Sequence, residues 1–270
     1  MDASRSRAHL SRSFSIRNPN ARAVSLACSA EAEDVIMPLS SDQQPIERLS
    51  LADVAMRRLR DEIVHGRLEP GEVLTEIALA ARLGVGRGTV RTALFALEAD
   101  ELIVRAPYSN WRVASLDDQV IWEIYTLREA MEGLAARILA ERAEPRSKTA
   151  LAAAFAQLAP AEAGSVDERV AADLGFHRAI VETTGHRHLI KRYGALSTKM
   201  EWLYRWSETH WPARFPLVDD HRALFESVMR GTPDEAERAV RTHIDPSLAA
   251  DLEGYRSLMA AGGTVSETHS

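Results

Sequence analysis

Apolar side chains recur at Ile77, Leu79, Ala80 and Leu83, stop at Gly84, and resume at Val90, Ala93, Leu94 and Leu97. The spacing is helical on both sides of the glycine, so it predicts two short amphipathic helices, about 76–83 and 87–99, joined by a tight corner. That is a helix-turn-helix. Upstream, Val54, Leu59, Ile63 and Val64 predict a first helix over about 51–65 that ends at Gly66, with a turn at Pro70-Gly71. Downstream, Leu102 to Arg105 and Trp111 to Val113 read as two strands around the turn-rich Pro107-Tyr108-Ser109-Asn110. Three helices and a small β-hairpin predict a winged helix-turn-helix over 45–114.

After Asp117 the pattern changes. Alanine, leucine, glutamate and arginine dominate, no alternating strand pattern occurs, and Pro or Gly breaks the sequence at Pro145, Pro160–Gly164, Gly185, Pro212–Pro216, Gly231–Pro233 and Pro246. The intervals predict helices near 117–143, 147–158, 166–184, 187–209, 217–230, 234–245 and 247–260, with Ser115 capping the first. A mainly α chain follows, in which an antiparallel helical bundle over 115–262 succeeds the winged helix. Residues 1–44, where Arg5, Arg7, Arg12, Arg17 and Arg22 stand among serines and alanines, read as a disordered basic tail, and 263–270 as a second tail.

At 270 residues the chain has room for two domains, and 46% hydrophobic residues can fill their cores. No apolar run approaches a membrane span. The single cysteine, Cys28, excludes an intramolecular disulfide and suits the cytoplasm. The net charge of −6 is uneven: residues 1–114 balance 15 arginines against 15 acids, and 115–270 set 18 basic residues against 24 acids. A DNA-binding head must therefore concentrate positive charge locally, at Arg57, Arg58, Arg87, Arg91, Arg105 and Arg112.

The helix opening at Gly86-Arg87-Gly88-Thr89 presents Arg87, Thr89 and Arg91 away from Val90, Leu94 and Leu97. A recognition helix needs that division, because its first turns enter the major groove while its apolar face packs behind. An arginine fork also matches the two acceptors of a guanine edge. The glycines fit neither a Walker loop nor a full dinucleotide fingerprint, which leaves a plain glycine-rich corner as the alternative.

In the second half Asp173 and His177 stand four apart on one predicted helix, so both project from one face. His221 and His243 sit on two later helices. Spacing alone leaves open whether the four converge, since isolated histidines on helices usually serve surface or core.

Two resemblances narrow the reading. Leu59-Arg-Asp-Glu-Ile63, Gly66-Arg-Leu-Glu-Pro70-Gly71, Leu83-Gly-Val85 and Arg87-x-x-Val90-Arg91-x-Ala93-Leu94-x-x-Leu97-Glu98 resemble the DNA-binding domain of GntR-family transcription regulators over about 46–114. The resemblance implies operator contacts from Arg87 and Arg91, with Gly86, Gly88, Thr89, Arg58 and Arg112 beside them. The chain departs from the family at Gly86-Arg87-Gly88-Thr89, where relatives carry Ser-Arg-Thr-Pro. Leu127-Arg128-x-x-Met131-Glu132, Asp173-Leu-Gly-Phe176-His177-Arg-Ala-Ile180, His221-Arg-Ala-Leu-Phe225 and Arg241-x-His243-Ile are similar to the FCD ligand-binding domain of FadR-type GntR regulators.

That second resemblance implies a divalent metal held by Asp173, His177, His221 and His243, zinc first, with nickel, manganese or iron as the other candidates. It also implies a small carboxylate-bearing effector, a homodimer and a palindromic operator. Arg128 would grip an effector oxygen, unless it only pairs with Glu132 one turn on. The rival function is a metal-dependent hydrolase or oxygenase using the same four ligands. Against it, the chain has no His-Glu-x-x-His motif and no two Glu-x-x-His pairs in its second half.

Overall fold

A computed structural model describes residues 49–105, 110–211 and 216–262. The expected tails over 1–44 and 263–270, and the wing tip at 106–109, lie outside the described residues.

The first helix, α1 (Leu51–Val64), starts at a capping box: Ser50 Oγ accepts the Asp53 amide at 3.1 Å, and Asp53 Oδ2 accepts the Ser50 amide at 3.0 Å. Helix α2 (Glu76–Leu83) ends at Gly84, whose φ of 68° turns the chain into a left-handed corner that glycine adopts without strain. Helix α3 (Arg87–Ala99) follows, and Val90, Ala93, Leu94 and Leu97 are buried as their spacing predicts. The hairpin strands β2 (Ile103–Arg105) and β3 (Trp111–Val113) pair antiparallel. A strand that the sequence reading did not expect, β1 (Val73–Leu74), pairs with the other edge of β3. Two residues are too few to show an alternating pattern, so only the pairing reveals it.

Seven helices follow among the described residues: α4 (Asp118–Arg142), α5 (Pro145–Ala156), α6 (Leu158–Ala161), α7 (Val166–Glu182), α8 (Arg187–His210), α9 (Leu217–Arg230) and α10 (Pro233–Ala260). Helix α4 lies against α7, α8, α9 and α10, so the inward face of α4 is the middle of the bundle. No helix among the described residues is long and apolar enough to cross a membrane.

Three expectations need correction. Pro246 does not end a helix, because α10 runs through it without a break. Proline takes away one amide, and the carbonyl it would have served belongs to Thr242, an exposed residue. Helix α5 begins at Pro145 rather than after it, since a proline at the first helical position gives up an amide that has no partner anyway. The cap of α4 is Asp117, whose Oδ1 accepts the Val120 amide at 2.8 Å, and Ser115 only hydrogen-bonds that carboxylate.

Candidate functional site

On the head, Gly86 caps α3 without a side-chain hydrogen bond, and Arg87 and Arg91 stand one turn apart with side chains 62% and 53% exposed. Both lean toward one carboxylate. Glu76, the first residue of α2, accepts Arg91 Nε and Nη2 at 2.7 Å each and lies 3.6 Å from Arg87 Nη2. The Arg91 hydrogen bonds hold the Glu76 carboxyl below its ordinary range. Thr89 is half-buried and Gly88 exposed between the arginines. Arg58 is exposed on α1, 3.5 Å from Glu62, and Arg112 on β3 donates to the Gly71 carbonyl at 3.2 Å. Arg105 stacks over Trp111 at 5.0 Å.

Inside the bundle, α7, α9 and α10 bring three imidazoles together. His177 Nε2 lies 3.0 Å from His221 Nε2 and 3.2 Å from His243 Nε2. Asp173 reaches the same point, with Oδ1 3.8 Å from His177 Nε2 and Oδ2 3.5 Å from His221 Nε2.

The opposite nitrogen of each ring is already committed. His177 Nδ1 meets Glu132 Oε2 at 2.7 Å, His221 Nδ1 the Leu217 carbonyl at 2.7 Å, and His243 Nδ1 the Asp220 carbonyl at 3.2 Å. Each of those partners is an acceptor, so each Nδ1 carries the proton and each Nε2 presents a lone pair. Burial holds His177 and His243 below their ordinary pKa, and nearby Arg128 pushes the same way, which favours the neutral form of both rings. Three Nε2 atoms thus face one another, and Asp173 Oδ1 beside them is buried without a hydrogen-bond partner. A cation fits this donor set.

Beneath the histidines lies a buried ion pair that sequence reading recognised only as a possible surface contact. Arg128 and Glu132 on α4 are 1% and 0% exposed and joined at 2.8 Å from Nε to Oε1. Glu132 also accepts Tyr193 Oη at 2.6 Å as well as the His177 ring. Burial opposes its charge, but Arg128 and His177 outweigh it and keep the carboxyl well below the usual range. Arg128 Nη1 donates to Tyr204 Oη, while its Nη2 is buried without a partner.

A cavity of about 90 Å³ opens beside His243, walled by Tyr125, Tyr204, Asp173, Asp220 and Asp251 among others. Sequence reading missed Glu132 as a histidine partner, along with Tyr193, Tyr204 and Asp251. The only signal was the four-residue step from Arg128 to Glu132. His186, His188 and His210 are exposed, and His186 serves to cap α8.

A winged helix joined to a helical bundle is the order of domains that two family models match in this chain. The model for "Bacterial regulatory proteins, gntR family" matches residues 51–113, and that for the "FCD domain" matches 123–246. The chain belongs to the GntR family, with an FCD domain in its second half, and is a DNA-binding transcription regulator.

It is 28% identical over 219 residues to the "Probable D-xylose utilization operon transcriptional repressor" of Paenarthrobacter nicotinovorans, covering 80% of this chain and 96% of that one. It is 26% identical over 204 residues to the HTH-type transcriptional repressor GlaR of Escherichia coli, covering 70% and 90%. Among solved structures, a GntR regulator from Rhodococcus sp. RHA1 superposes with TM-score 0.64 at 21% identity, covering 77% of this chain and all of that one. Escherichia coli McbR/YncC gives 0.63 at 20% identity, covering 77% and 99%. The relatives are transcription regulators, not enzymes, so the hydrolase or oxygenase alternative gives way.

Proposed function

We propose that this chain is a metabolite-responsive regulator in which 45–114 binds a palindromic operator and 115–262 receives a small carboxylate-bearing effector beside a divalent metal. The observation that carries the reading is the meeting of three Nε2 atoms, those of His221 and His243 lying 3.0 and 3.2 Å from that of His177, in rings whose other nitrogen is already hydrogen-bonded. Asp173, His177, His221 and His243 would hold the metal. Zinc suits three imidazoles and a carboxylate best; nickel, manganese and iron share the preference for nitrogen and oxygen. Once bound, the ion would supply the positive charge that draws an effector carboxylate.

The chain's own residues do the rest. Glu132 keeps the His177 proton on Nδ1, and Arg128 offers its unpartnered Nη2 to an effector oxygen. Arg87, Arg91 and the first amides of α3 meet the operator, with Gly86, Gly88 and Thr89 lying close to its backbone and Arg58 and Arg112 flanking. Leu127 and Leu134, two turns apart on one face of α4, are 47% and 44% exposed and suit contact with a second copy of the chain. The regulator works in the cytoplasm and responds by population shift between arrangements of its heads.

Elemental analysis and calorimetric titration test the centre. The wild-type chain should take up one divalent ion per protomer, and His177→Ala should not. Selection from random duplexes should yield a palindrome whose binding is lost in Arg87→Ala and Arg91→Ala. A chain that takes up no metal, or arginine variants that bind like wild type, would overturn the corresponding half.

A further inference from the structure

The cavity beside His243 has a composition at odds with an effector that is only an anion. Among the described residues, Asp173, Asp220, Glu208 and Asp251 line it together with one guanidinium, Arg169, whose Nη1 donates to the Glu162 carbonyl at 2.7 Å. His243 lines it too. Its side chain is 6% exposed, and its Nε2 faces another lone pair rather than a donor, so this end of the cavity awaits an electron-pair acceptor.

The other end differs. Asp251 is 6% exposed and accepts Tyr125 Oη at 2.8 Å and Trp211 Nε1 at 3.0 Å. Both donors are neutral. Asp251 makes no ion pair among the described residues, so its charge is oriented but not compensated, and burial pushes its carboxyl up accordingly. Trp211 is wedged against α10 so tightly that a β-carbon at Gly254 would lie 2.2 Å from the indole, which fixes the donor that aims Asp251. Each carboxylate oxygen retains a lone pair for a further donor.

Because α10 is continuous through Pro246, His243 and Asp251 stand eight residues apart on one helix, about 12 Å along its axis. Between them the cavity wall is Ser247 and Ala250, two small side chains that leave a channel.

We infer that the effector is a short ω-amino carboxylic acid, its carboxylate at the histidine end and its ammonium group on Asp251. This rests on the proposed effector beside the metal, and takes the cavity next to His243 as the place where it lies. An α-amino acid holds its two charges too close together to reach both ends. A dicarboxylate of the same length would bring a second anion against Asp251. The cavity volume of about 90 Å³ limits the chain to a few methylenes.

The test is calorimetry on the zinc-loaded full chain with β-alanine, γ-aminobutyrate and 5-aminovalerate, each against the dicarboxylate of equal carbon number. At least one amino acid should bind about tenfold tighter than its dicarboxylate partner. Asp251→Asn, nearly isosteric, should abolish that preference while leaving zinc stoichiometry unchanged. Equal or tighter dicarboxylate binding, absence of binding by all three amino acids, or an unaltered preference in Asp251→Asn overturns the inference. If the variant does not melt cooperatively, the wild-type pairs decide alone. Failure of the underlying reading shows separately, as a chain that takes up no zinc, whereas zinc-loaded protein that prefers dicarboxylates defeats the ω-amino assignment only.

Discussion

The molecule contains two arginine–glutamate clusters built from the same groups and set in opposite surroundings. On the head, Arg91 and Arg87 share Glu76 with their side chains more than half exposed. In the bundle, Arg128 and Glu132 meet at 2.8 Å with almost no exposure. Water makes the first arrangement exchangeable, because an exposed pair gains at most about 1 kcal/mol and its arginines can leave for a phosphate or a guanine edge. The second is fixed, because separating its members strands a charge in the interior. The head cluster is suited to transfer between partners and the bundle cluster to hold a ring in place.

The largest effect separates the two directly. Glu132→Ala should destabilise the chain by about 3–5 kcal/mol in urea unfolding, since it strands Arg128, whereas Glu76→Ala should cost under about 1 kcal/mol. Similar small losses in both would erase the contrast. Next, Glu132→Gln should weaken metal binding about 10–100-fold by calorimetry, because the amide no longer fixes the His177 proton as a carboxylate does. Glu76→Gln should leave metal affinity as it is.

Arg87→Ala or Arg91→Ala should each cost about 1–3 kcal/mol of operator affinity by fluorescence anisotropy and leave metal uptake unchanged. A metal-free sample should melt at progressively lower temperature as pH falls below 6.5. His177 and His243 are held below that ordinary value when folded, so their contribution is complete above it and lost on acidification. Asp220 and Asp251, whose carboxyls burial raises, act in the opposite sense, and a shallower pH dependence in His243→Gln isolates the imidazole part. The smallest expected change is a gain: Glu76→Gln frees Arg91 from a competing anion and should tighten DNA binding by no more than about 1 kcal/mol.

Local patterns carried far. Gly84 marks the helix corner, the buried set Val90, Ala93, Leu94 and Leu97 follows from spacing, and α9 spans the interval expected between Pro216 and Gly231. Local rules misled twice: α10 passes Pro246 without a break, and pairing with β3 made Val73–Leu74 a strand. The histidines were visible singly, and Asp173 and His177 as a pair, because an i,i+4 step is local.

Sequence alone determined that a winged helix precedes a helical bundle, and which residue types could take a cation, since helical periodicity, caps and breakers act over a few residues. Tertiary packing alone decided that Nε2 atoms from three helices meet within 3.2 Å of His177 and that Glu132 lies beneath them. It also made Asp251 the buried far wall of the cavity. Those relations join residues 44 to 126 positions apart, which no local propensity encodes and only the crossing of packed helices can fix.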